Sequence, residues 1–320
     1  MPTKENRQMQ KGTPRELSGV VPIVPIPFDR HESIDEQALR SLVEFAANRG
    51  FTGICLPAYG SEFYKLSDEE RILAVQVAAQ QAAGRLLVVA QSNHGSSRVA
   101  LRMACKHVEN GADVISVALP RTFALKDDDL LRFLEPILNG VNVPTLVQDY
   151  YPTGTSIGTN FVSRLSAECP SFQYLKLEEP QLAPKVVAIH SATKEKVRVL
   201  EGMAGLYLME LVPAGIVGVM PGLAIADALN AVFTLRAAGK AEEAFAIYEK
   251  LLPFIVFGLQ NFELWLYCEK RLLHARGLMA SPRSRNANLC PDPHTVRYVD
   301  ELSDRVMRAL EKAGLSEKAA

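Results

Sequence analysis

Short, solidly apolar runs rich in β-branched residues recur along this chain, separated by longer stretches in which apolar residues return every three or four positions. The runs are Val20–Pro27, Gly53–Leu56, Leu86–Ala90, Val114–Leu119, Thr145–Gln148, Tyr174–Leu177, Val197–Leu200 and Gly215–Met220. Most are hydrophobic throughout, the pattern of parallel strands covered on both faces. The intervening stretches carry helix punctuation. Ser33-Ile-Asp-Glu36 and Ser67-Asp-Glu-Glu70 read as capping boxes, with Gly50 and Gly84 as the respective stops. Leu130–Leu138, Thr159–Ala167 and Ala224–Ala238 read as further helices. A strand followed by a helix, repeated through residues 18–238, predicts an α/β fold, a (β/α)8 barrel. No GxGxxG turn supports a dinucleotide-binding sheet. Residues 239–320 read as a helical extension with segments Ala241–Leu259, Phe262–Arg276 and Thr295–Lys312. This extension is expected beneath the barrel or at a subunit interface, with Phe254, Phe257, Phe262 and Trp265 as core or interface. Residues 1–17 are polar and read as a tail.

Composition narrows the function. Lys and Arg number 35 against 36 Asp and Glu, a net charge of −1, so nothing electrostatic favours a nucleic acid or an anionic membrane as partner. No apolar run reaches the roughly 18 residues of a membrane helix. Five widely spaced cysteines without a CxxC pair predict neither structural zinc nor disulfides, and fit a reducing, cytoplasmic setting. The six histidines show no metal-ligand spacing, so neither metal nor cofactor is expected.

Barrel chemistry sits at the carboxyl ends of the strands. The candidates there are Tyr59, Gly60, Ser61 and Glu62, then Ser92, Asn93 and His94, Arg121 and Thr122, and Gln148 to Tyr151. Lys176, Glu178 and Glu179 follow, with Glu201, Gly202, Met203, Gly205, Met220 and Gly222. His94 reads as a loop or capping residue and Cys55 as core. Lys176 is the most informative. Alternation puts Tyr174, Lys176 and Glu178 on one face and Leu175 and Leu177 on the other, which sends the lysine into the barrel mouth. Burial disfavours an ammonium, and a neutral amine there can attack a ketone to form a Schiff base. The plainer reading is a lysine simply paired with Glu178 or reaching the rim.

From about Gly19 to Gly277 the chain resembles the dihydrodipicolinate synthase/N-acetylneuraminate lyase family of Schiff-base barrels. The resemblance is carried by GVVPIVPIPFD, AYGSEFYKLSDEER, AQSNHGSSRVALRMACKHVENGADVISVALP, YLKLEEP and GIVGVMPG, in that order. It implies that Lys176 is the Schiff-base lysine. It also implies that the turn at Tyr59, Gly60, Ser61 and Glu62 holds the substrate carboxylate, through Gly60, Ser61 and their N–H groups. The family's acid/base tyrosine aligns with Thr122 and is missing, so Tyr150, Tyr151 or Tyr59 is expected to supply a phenol, or a water to relay the proton. Thr122, Glu178, Gly202 and Met220 are expected to line the substrate. Val147-Gln148-Asp149 and the Lys-x-Glu at strand six resemble a branch that includes 2-keto-3-deoxy-L-arabonate dehydratases.

The activity so implied is a lyase acting on a small 2-oxo acid, dehydrating a 2-keto-3-deoxy sugar acid, in a homotetramer built from dimers. Alternatives are a pyruvate-dependent aldolase or a dihydrodipicolinate synthase-like condensation, and a degraded barrel that only binds a 2-oxo acid. Gly202, Gly205, Gly218 and Gly222 add a phosphorylated-sugar lyase, because loops after strands seven and eight commonly cradle phosphate. The plain reading of these glycines is close backbone packing.

Overall fold

A computed structural model describes residues 16–121, 125–150, 157–285 and 289–315. Eight parallel strands run β1 (Gly19–Val20), β2 (Gly53–Cys55), β3 (Leu87–Gln91), β4 (Val114–Ala118), β5 (Thr145–Asp149), β6 (Phe172–Leu177), β7 (Arg198–Glu201) and β8 (Gly218–Val219). Their order is β1-β8-β7-β6-β5-β4-β3-β2. Closure is made beyond β1, where Val24 N–H donates to the Cys55 carbonyl at 3.0 Å and Cys55 N–H to that of Pro22 at 2.9 Å. The chain is a (β/α)8 barrel.

The first run predicts a longer strand than forms. Pro22, Pro25 and Pro27 bring no N–H to a ladder, so pairing beyond Val20 survives only as isolated bridges at Ile23. At the eighth run, Gly215 instead ends a helix in the left-handed conformation at φ 99°.

The outer helices are α1 (Glu36–Asn48), α2 (Asp68–Ala82), α3 (Ser97–Glu109), α4 (Asp127–Leu138), α5 (Thr159–Glu168), α6 (Ala183–Thr193), α7 (Leu208–Ala214) and α8 (Ala226–Ala237). Ser67 caps α2 in a reciprocal box with Glu70. Ser33 does not cap α1. Asp35, two residues nearer the helix, accepts the Ala38 N–H at 2.9 Å and takes the position.

Strand alternation divides the core in two. Tyr174, Leu200, Met220, Leu146, Val114, Val89 and Cys55 fill the barrel interior, with Leu17 from the amino-terminal side. Leu175 and Leu177 face the helix layer. The extension forms α9 (Ala241–Gly258), α10 (Phe262–Ala275) and α11 (Pro293–Lys312). Phe254 packs edge-on against Trp265, ring centroids 6.3 Å apart, inside the core. The extension is not wholly beneath the barrel, because the start of α10 reaches the mouth.

Candidate active site

At the carboxyl end of β6, Lys176 Nζ lies 3.1 Å from Glu178 Oε1, with side chains 9% and 6% exposed. Neither charge would be stable there alone; each offsets part of the other's desolvation. Burial raises the Glu178 carboxyl above the ordinary carboxylate range, against the opposing pull of Lys176 and Gln148. It is therefore a better proton acceptor than a surface glutamate.

Register puts Gln148 of β5 level with Lys176. Gln148 Nε2 donates to Glu178 Oε1 at 2.6 Å, Gln91 Nε2 donates to Gln148 Oε1, and Gln91 Oε1 accepts the Tyr59 N–H at 3.1 Å. The ends of this chain fix its polarity. A backbone N–H can only donate and a carboxylate acts here as acceptor, so both amides must point the same way around the mouth. Sequence reasoning missed Gln91 and named Gln148 as a strand-end candidate without giving it a role, since amides carry no titratable signature.

Space for the pair is created by Gly202. A Cβ there would lie 2.6 Å from Lys176 Cε and collide with Glu178 Cγ. Met220 is buried in the inner core below the mouth, its N–H donating to the Glu201 carbonyl at 2.8 Å. Cys55 is also interior, and burial pushes its thiol up to about 12, so it is no nucleophile.

The turn after β2 is more committed than the resemblance implies. Ser61 N–H donates to the Ala58 carbonyl at 2.9 Å and its hydroxyl to that of Val24 at 2.6 Å. Glu62, at φ 60° and with no exposure, directs its carboxylate to buried Lys270 of α10 and to Lys65 at 3.2 Å. The glutamate expected among the substrate ligands is thus held in a structural ion pair. Gly60 supplies the turn's remaining N–H.

Tyr59, Tyr150 and Phe262 meet at the outer mouth, with ring centroids 5.4 Å (Tyr59–Tyr150), 6.1 Å (Tyr59–Phe262) and 6.3 Å (Tyr150–Phe262) apart. Burial and the Glu178 charge raise both phenols, which keeps them protonated. Tyr151 and Thr122 lie outside the described residues. His94 accepts the Ser96 N–H at 2.9 Å on the exposed approach to α3.

Two further carboxylates ring the site. Glu201 Oε2 accepts the Gly205 N–H at 2.9 Å, where Gly205 has φ +83°, and Glu201 Oε1 that of Tyr207 at 3.4 Å. Glu269 of α10 accepts the Ala224 N–H at 2.7 Å beyond β8. A Cβ on Gly222 would collide with that carboxylate, 2.7 Å from Oε1. Desolvation pushes both acids up to about 7. The backbone cradles that the phosphorylated-sugar reading calls on are filled by the chain's own carboxylates.

A closed parallel barrel with a buried lysine–carboxylate pair at a strand's carboxyl end defines the class: a (β/α)8 barrel enzyme. The model of the Dihydrodipicolinate synthetase family matches residues 16–290, and the chain belongs to that family. It is a lyase. An L-2-keto-3-deoxyarabonate dehydratase of Azospirillum brasilense is 26% identical, covering 86% of this chain and 89% of its own. A 4-hydroxy-tetrahydrodipicolinate synthase of Anaplasma marginale is 27% identical over 58% of this chain and 61% of its own. The crystal structure of dihydrodipicolinate synthase from Rhodopseudomonas palustris superposes with a TM-score of 0.85 at 24% identity, covering 92% of this chain and 99% of that one. No helix among the described residues is long and apolar enough to cross a membrane.

Proposed function

We propose that this lyase forms a Schiff base between Lys176 and the C2 carbonyl of a 2-oxo acid and dehydrates a 2-keto-3-deoxy sugar acid. The observation that carries the reading is the Lys176–Glu178 pair, buried at the end of β6 beneath the opening that Gly202 leaves. Lys176 passes a proton to Glu178 and its lone pair attacks C2. The C2 oxygen leaves as water with one proton from the nitrogen and the one held by Glu178, which restores the carboxylate and leaves a protonated imine. That imine draws electrons from C3, whose proton leaves to the Glu178 carboxylate, giving an enamine. The enamine electrons then expel the C4 hydroxyl, which takes the proton back from Glu178 and departs as water. Glu178 thus fills the acid/base role for which Tyr150 and Tyr151 were considered. Tyr150, a protonated phenol, is suited to donating a hydrogen bond. Gly60 N–H is the turn's donor for the C1 carboxylate, and Gln148 holds Glu178 in place.

The resemblance to the arabonate dehydratase supports dehydration over aldol cleavage. A buried carboxylic acid beside the imine is what a departing hydroxyl requires. The reading carries a cytoplasmic setting, supported by five unpaired cysteines. It also carries a homotetramer, supported by the exposed apolar side chains of Val187, Phe245 and Val256 on α6 and α9.

The test is intact-mass analysis after borohydride with pyruvate, and separately with a 2-keto-3-deoxy pentonate. Each is expected to leave a reduced adduct on Lys176 that Lys176→Ala does not form, and the pentonate is expected to lose water in the unreduced reaction. No adduct from any 2-oxo acid would overturn the reading and leave a barrel that only binds. Release of pyruvate from the pentonate would replace dehydration with aldol cleavage.

A further inference from the structure

On the reading just given, C1 to C4 of the substrate lie against Gly60, Lys176 and Glu178, and the chain beyond C4 extends into the outer mouth. We propose that this outer mouth is a subsite for an uncharged distal chain. The substrate's one anionic group is its C1 carboxylate, and its C5 end lays C–H faces on Tyr59, Tyr150 and Phe262.

Three sets of observations converge on this. The first is the wall itself. The three rings come from the turn after β2, the end of β5 and the first residue of α10, and all are half-buried. Phe262 is fixed there by its neighbour. Glu263 accepts from the Tyr64 hydroxyl at 2.6 Å and pairs with Lys65 at 2.9 Å, which clamps the start of α10 to the turn after β2. An aromatic surface of this size gives area and stacking but no full charge.

The second concerns cations. Lys65 and Lys270 are buried against Glu62 and Glu263. Arg121, beyond β4, is held by Asp149 at 2.6 Å. In the sequence, residues 122–124 and 151–156 contain no Lys, Arg or His. The charge that raises both phenols, Tyr59 and Tyr150, is the negative one of Glu178. A second anion on the substrate would be desolvated beside a carboxylate, with each of these described cations already paired.

The third is the state of the anion cradles. The N–H groups after β7 and beyond β8, where a barrel can bind phosphate, are occupied by Glu201 and Glu269. Glycines at 205 and 222 let these internal acids approach the backbone. They do not make room for an external phosphate.

The experiment compares three 4-hydroxy-2-oxo acids of equal length that differ only at C5: the 2-keto-3-deoxy pentonate, its 5-phosphate, and 4-hydroxy-2-oxoglutarate. Dehydration kinetics are read for each, with borohydride trapping of pyruvate run in parallel. The pentonate is expected to exceed both charged analogues in kcat/KM by about 100-fold or more, the cost of an unpaired buried charge. Phe262→Ala should raise KM for the pentonate about tenfold, with a smaller change in the pyruvate concentration needed for trapping, and Phe262→Leu should recover most of the loss. Equal use of the phosphate or the dicarboxylate, with pyruvate still trapped on Lys176, overturns this inference and leaves the Schiff-base reading standing. Failure to trap any 2-oxo acid overturns both.

Discussion

Among the acids around the mouth of this barrel, three have carboxyls that burial raises, and these are held in two different ways. Glu178 is met by side chains: the Lys176 amine and the Gln148 amide. Glu201 and Glu269 are met by backbone N–H groups, at Gly205 and Tyr207 for the first and at Ala224 for the second. Side-chain partners can exchange protons and shift with the substrate, whereas backbone donors keep their protons and fix the loop they belong to. On the proposed mechanism, the same residue type serves chemistry in one place and architecture in the other. What separates the two is the mobility of the partner, not the acid's own pKa, which burial raises in all three.

The sharpest way to break this comparison is to neutralise the acids one at a time. Glu178→Gln is expected to lower turnover of the pentonate by about 10²–10⁴-fold, the usual worth of a positioned acid/base. Glu201→Gln should cost less than about tenfold per folded molecule, its loss appearing in the melting temperature instead. Equal losses in turnover from the two variants would erase the distinction.

A second comparison sets two glycines against each other. Gly202→Ala would push on Lys176 Cε and Glu178 Cγ, and a misplaced reacting pair should lose about 10² in kcat/KM. Gly222→Ala would push the Glu269 carboxylate off the Ala224 N–H and should cost about 1–3 kcal/mol of stability. Steady-state kinetics beside chemical denaturation separates the two effects. Gly202→Ala with full activity would mean that the Lys176–Glu178 geometry does not govern the rate.

The smallest effect concerns pH. Glu201 and Glu269 are raised from 4.5 to about 7 in the folded protein. The native state therefore holds their protons more tightly than the unfolded chain does. The associated stability is fully present below about pH 4.5 and is lost as pH rises through about 7. Unfolding free energy measured from pH 5 to pH 8 should carry a downward component of about 1–3 kcal/mol from each group. Glu201→Gln or Glu269→Gln should flatten its share of the slope. An unchanged slope in either variant would show that the acid is already ionised in the native state over this range.

Much of the barrel and the centre of the site were legible because they follow from neighbours along the chain. Alternation about Lys176 placed it and Glu178 opposite Leu175 and Leu177, as found. Ser67 was readable as a cap because Glu70 stands three residues on, while Ser33 was misread because Asp35 competes for the same turn. The Gln91–Gln148 amide pair was not legible. Its members are 57 positions apart, and only the stagger of closed strands brings them together. Phe262 and Glu269 looked like ordinary positions on an amphipathic helix, since nothing local states that α10 returns to the mouth.

The sequence by itself determined the succession of strands and helices and the face on which Lys176 emerges. Those are properties of spacing, and spacing acts through the covalent chain. Tertiary structure alone decided that Glu62 is paired with Lys270, that Glu201 and Glu269 fill the anion cradles, and that Phe262 completes the mouth. Each of those outcomes turns on which charge or ring is desolvated beside which other. That is set by distance through space, after the barrel has closed.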